Sequence, residues 1–138
     1  MPLRSLVAGT AAVTLVLGGA SAAMAEGSFS TSITQAQPTF QSRTWTDNNV
    51  DAVRTKVTLS NCKANVGGQA PGTLTLSNVE ITLFRNGAAV STKSQKCGTY
   101  DFGLVGKGDF YFKITSINGN TAANRNTFVN ANPVSIQY

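Results

Sequence analysis

From residue 53 onward the chain alternates between apolar and polar positions. Val53, Thr55, Val57 and Leu59 interleave with Arg54, Lys56, Thr58 and Ser60, a period of two with one dry and one wet face. The same period recurs at Leu74 and Leu76, at Val79, Ile81 and Leu83, at Phe110, Phe112 and Ile114, and at Val134, Ile136 and Tyr138. Each run predicts a half-buried strand. No stretch after residue 25 sustains the period of about 3.6 residues that an amphipathic helix needs. Turn residues separate the runs. Asn86-Gly87 is the strongest local signal. Both residues tolerate positive φ, so the pair should close a tight hairpin between strands at 80–85 and 88–93. Asn118-Gly119-Asn120 should end the aromatic strand, Ser77-Asn78 reads as a turn or a bulge, and 67–72 reads as a glycine loop. Residues 100–108 read as a loop or short strand around Phe102 and Leu104, and 122–132 as an asparagine-rich loop around Phe128 and Val129.

The first 38 residues follow other patterns. Residues 1–25 read as a secretory signal peptide: Arg4 supplies the positive start, 6–17 is apolar, and Ala23-Met24-Ala25 is a small-x-small cleavage site. Thr10, Thr14 and Gly18-Gly19 interrupt the apolar run, which falls short of the roughly 20 residues a membrane span needs. The mature chain should therefore begin at Glu26 and be secreted. Residues 26–38 are polar, with Phe29 and Ile33 as apolar anchors, and end at Pro38. That composition predicts an extended N-terminal arm or a weak edge strand that buries little surface. Phe40 and Trp45 then bracket Gln41-Ser42-Arg43-Thr44, and Asp47-Asn48-Asn49 marks a turn. Six to eight short strands at roughly 8–12-residue spacing predict an all-β fold. We expect a single antiparallel β-sandwich over 39–138, immunoglobulin-like in its two-sheet architecture, with the arm ahead of it.

Composition narrows the chemistry. The 138 residues contain no histidine, which removes the usual general base, the usual zinc ligand and the Ser-His and Cys-His nucleophile pairs. Cys62 and Cys97 are the two cysteines, and in an exported chain such a pair predicts one structural disulfide. The chain-entropy treatment assigns a closed loop of about 35 residues at most ~4 kcal/mol. The carboxylates Glu26, Asp47, Asp51, Glu80, Asp101 and Asp109 carry no spacing that marks a glycosidase pair. Asp47-Asn48-Asn49-Val50-Asp51 has oxygen ligands at short spacing but lacks the glycine and distal glutamate of a calcium loop, so Asx turns are the expectation. No S-x-x-K or G-x-S-x-G motif marks a serine nucleophile. We therefore assign no catalytic residue, metal or cofactor.

Binding remains. The net charge is +5, but the basic residues are dispersed and do not interleave with aromatics, which argues against nucleic acid. Trp45, Tyr100, Tyr111 and Tyr138 are candidates for a sugar-stacking surface, although a lone tryptophan in a small sandwich also serves as a core plug. Residues 67–72 and 103–108 are candidate loops for an inhibitor of a protease or glycosidase. In the arm, Ser28, Phe29, Thr31 and Ile33 are candidate partner-binding residues. Phe29 and Ile33 stand four apart, so in an extended chain they point the same way and suit two pockets of a partner. The same composition fits a frayed terminus.

The pattern Phe40-x-Ser42-Arg43-x-Trp45-x-Asp47, followed by Asp51, Thr55, Val57 and Cys62, then Cys97 and Phe110-Tyr111-Phe112, resembles the adaptor subunits of the umbrella toxin particles of Streptomyces. The resemblance covers most of the mature chain. It implies a small secreted β-sandwich without enzymatic activity, part of a hetero-oligomer that acts against competing bacteria. Such an adaptor joins a lectin-like subunit of inactive trypsin-type fold to the repeat-built hub of a large toxin. Its N-terminal segment docks in the lectin-like subunit's cleft and its body contacts the hub. No nucleic-acid or membrane partner is implied. An inhibitor of a hydrolase and a small carbohydrate-binding lectin are the alternatives.

Overall fold

The computed structural model describes residues 27–124 and 126–138. The expected signal peptide at 1–25 lies outside the described residues, as do Glu26 and Arg125. Nine strands follow in order: β1 (Ser28–Ala36), β2 (Trp45–Asp47), β3 (Thr55–Leu59), β4 (Lys63–Asn65), β5 (Val79–Arg85), β6 (Ala88–Gln95), β7 (Gly98–Gly103), β8 (Gly108–Ile117) and β9 (Phe128–Gln137). No helix occurs among the described residues. The strands form two antiparallel sheets. The first has the order β1-β9-β3-β7 with β4 also paired to β9; the second has the order β2-β8-β5-β6.

Alternation builds the core. Val57, Leu59, Tyr100, Val134 and Ile136 of the first sheet are buried, as are Ile81, Leu83, Phe110, Phe112 and Ile114 of the second. The sheets thus form a β-sandwich around one hydrophobic cluster. The Asn86-Gly87 hairpin forms as expected, with φ of 50° and 82° and Arg85 paired to Ala88. The Cys62–Cys97 disulfide closes across a sequence separation of 35. It ties the β3–β4 connection to the β6–β7 turn, where the chain crosses from one sheet to the other.

The structure departs from the sequence expectations in three places. Of the two forms expected for the N-terminal segment, residues 28–36 take the edge strand and not the free arm, but they bury more than expected: Ile33 and Ala36 are each only 3% exposed. The expected loop at 122–132 ends early, because β9 begins at Phe128 and runs through the cis Asn132-Pro133 peptide. Leu74 makes only an isolated bridge to Ala64, and Leu76 packs into the core from a loop, so the expected strand there does not form.

Candidate functional site: the open side of the sandwich

β1 and the segment 39–47 lie on the same side of the molecule, one at the edge of each sheet. The second is held along β8 by the backbone. Thr39 N–H donates to the Ile114 carbonyl at 2.8 Å, Ile114 N–H to Phe40 at 3.0 Å, and Ser42 N–H to Phe112 at 2.9 Å. The Ser42 hydroxyl accepts the Phe112 N–H at 2.9 Å and donates to the Arg43 carbonyl at 2.9 Å. Serine therefore extends the ladder where the backbone alone would leave a gap.

Pairing fixes which groups of β1 remain available. Gly27 and Tyr138 exchange both backbone hydrogen bonds, each 3.0 Å long. In an antiparallel ladder such hydrogen-bonded pairs alternate with non-bonded ones. The next bonded pair is therefore Phe29 with Ile136, and the N–H and C=O groups of Ser28 and Ser30 point away from β9. The regular register ends after Thr31, with shifts between Thr31 and Ile33 and between Ile33 and Ala36. Beyond it Gln35 has φ of 51°, and its N–H is taken by the Asn130 side-chain oxygen at 2.9 Å. The available edge is short.

Between the two edge segments runs a groove of about 100 Å³. Phe29, Ile33, Phe40, Phe112 and Ile136 give it an apolar lining, and Arg43 is the charged residue on it. The Arg43 guanidinium carbon rests 3.6 Å from the centre of the Phe29 ring, a cation–π contact. Phe29 in turn meets the edges of Trp45 and Tyr138, with ring centres 5.9 and 6.3 Å away. Tyr138 crowds Gly27 so closely that a Cβ there would fall 2.4 Å from its ring. On the outer face of the first sheet, Ser28, Ser30, Lys56, Thr58, Ser135 and Gln137 line a shallow polar hollow beside the same edge.

The residues singled out in the sequence divide between these surfaces. Ser28 and Thr31 are exposed on β1, Phe29 is half-buried, and Ile33 is in the core. Phe29 and Ile33 therefore anchor β1 to its own sandwich. Of the aromatic candidates, Trp45 and Tyr138 meet with ring centres 5.9 Å apart, while Tyr100 and Tyr111 lie elsewhere. Trp45 is a core plug stacked on Phe110 at 6.1 Å, and Tyr100 is buried. Tyr111 lies on the outer face of the second sheet, stacked on Phe84 at 5.0 Å. Asp47, Asn48 and Asp51 accept the N–H groups of Asn49, Val50 and Val53, the expected Asx turns. Among the described residues, no group of three or more His, Cys, Asp or Glu is placed to hold a metal ion. No helix among them is long and apolar enough to cross a membrane. Of the two candidate inhibitor loops, the one at 103–108 presents Leu104 at 62% exposure and is tied down by Arg85, whose Nη1 donates to the Val105 carbonyl.

Sequence reasoning missed Phe40, Arg43, Phe112 and Ile136 as parts of one surface, because three different segments bring them together. The bracketing of Arg43 by Phe40 and Trp45 was the available signal. No protein-family model and no curated protein matches the chain.

Proposed function

We propose that this chain is an exported, non-enzymatic binding module, most concretely an adaptor that holds a lectin-like subunit and the repeat hub of a large antibacterial toxin together. The observation that supports the reading is the open side: a strand edge whose backbone groups at Ser28 and Ser30 have no partner strand among the described residues, beside an apolar groove. An edge of this kind binds by strand addition, in which backbone bonds supply affinity and side-chain pockets supply selectivity. The β1 side takes the lectin-like subunit, and the remainder of the body takes the hub. Docking uses the edge in place, since detaching β1 would uncover Ile33 and Ala36.

Affinity capture of the tagged chain from its own culture supernatant, with mass spectrometry, tests this. Wild type brings down both a lectin-like protein and a large repeat-containing toxin. Ser30→Pro loses the lectin-like protein while keeping its fold, because the Ser30 N–H serves no bond within the sheet and an edge strand tolerates proline. Recovery of wild type alone, or of both partners with Ser30→Pro, would reject the reading. A second reading, inhibition of a hydrolase through the fixed loop carrying Leu104, predicts inhibition in a hydrolase panel that Leu104→Asp removes.

A further inference from the structure

Resting on the protein-docking reading, we infer that the occupant of the open side is a short extended segment of a partner protein that alternates aliphatic and acidic residues and pairs with β1. Three observations lead there.

The backbone sets length and form. Ser28 and Ser30 offer two N–H and two C=O groups along the regular stretch of β1, and the bulges and the occupied Gln35 N–H close the edge beyond it. The added strand therefore engages about four residues, given the one-to-one register of an antiparallel or parallel ladder. The groove sets the inward side chains. Alternate residues of an added strand point between the sheets, toward Phe29, Ile33, Phe40, Phe112 and Ile136. Its volume of about 100 Å³ holds a few groups of water size, each of roughly 30 Å³. That suits one branched aliphatic side chain.

Charge sets the rest. Among the described residues, Arg43 is the charged residue lining the groove, whereas Lys56 on the outer face lies on β3, two strands in from the edge and opposite Asp101. Arg43 has no carboxylate partner among the described residues, where the ion pair is Arg54 with Asp101. An incoming strand thus meets the Arg43 charge beside the groove and gains by carrying acidic residues. The same charge disfavours a second copy of this chain, since edge-to-edge pairing would bring two Arg43 side chains toward each other.

Two capped eight-residue peptides serve as probes, one alternating valine with glutamate and one alternating valine with lysine, titrated into the mature protein by calorimetry and two-dimensional NMR. The glutamate peptide should bind at least tenfold more tightly, shifting the amides of Ser28 and Ser30. Arg43→Gln should narrow the preference and Arg43→Glu should reverse it, with melting curves confirming that both variants fold. Equal affinity for the two peptides, no binding of either, or shifts confined to another face would overturn the inference. If Ser30→Pro loses the lectin-like protein while both peptides bind equally, the docking reading stands and the acidic-aliphatic chemistry is wrong. If Ser30→Pro keeps that protein, the docking reading itself fails.

Discussion

Tyr100 illustrates how single residues hold the two sheets together. Its ring is buried, and its hydroxyl proton is shared between the carbonyls of Val79 at 2.8 Å and Gln95 at 3.1 Å. A residue of the first sheet thus bonds to strands of the second. Burial pushes the hydroxyl well above its ordinary pKa, so it stays neutral and donating. Tyr100→Phe should cost about 1–2 kcal/mol, read as a lower urea midpoint at unchanged slope. Asp101 beside it works in the opposite sense. The hydrogen bond from Arg54, at 3.0 Å to each carboxylate oxygen, holds its carboxyl below the ordinary value, with the Gly103 N–H helping. Because the folded-state pKa is depressed, the pair's contribution is present above the unfolded value of about 4 and fades as pH falls through the folded one. The midpoint difference between wild type and Asp101→Asn should therefore be largest near neutrality and close in acid. A difference that widened in acid would contradict the pairing.

Elements were legible where local chemistry and burial agreed. The β5–β6 hairpin was readable because Asn86-Gly87 demands one turn geometry, and Gly87→Ala should cost about 1 kcal/mol for the strained φ of 82°. β1 was only half legible. Its buried residues Ile33 and Ala36 stand an odd number apart, and the irregular register around Gln35 breaks the period of two that reveals a strand. Ile33→Ala should cost about 2–4 kcal/mol, measured by chemical denaturation. A neutral result would mean the segment is an appendage after all. The first half of β9 was hidden by Pro133, which argues against a central strand. At that point β9 changes partner from β3 to β4, and Ser60 between them accepts the Asn132 N–H at 2.9 Å and donates to the Pro133 carbonyl at 3.1 Å. Pro133 thus falls at a break in the pairing, where the register with β1 also shifts.

At the scale of the whole molecule, the disulfide and the open side play different parts. The bridge fastens the β6–β7 crossing to the first sheet, and replacing both cysteines with alanine should cost up to ~4 kcal/mol by loop entropy, seen as a lower melting temperature. The two-sheet architecture followed from alternation. The site did not, because a groove is made of residues that alternation only sorts into inside and outside. Phe29 and Ile33 stood out as anchors, yet what they anchor, and the company of Phe40, Arg43, Phe112 and Ile136, follows from which strands lie at the edges. Amide hydrogen exchange of β1, measured by NMR on the protein alone and in complex with its captured partner, tests the central claim most directly. The account predicts that Ser28 and Ser30 exchange rapidly in the free protein and at least tenfold more slowly in the complex, while Phe29 is protected in both. Unchanged exchange at Ser28 and Ser30, with new protection on another face, would contradict it.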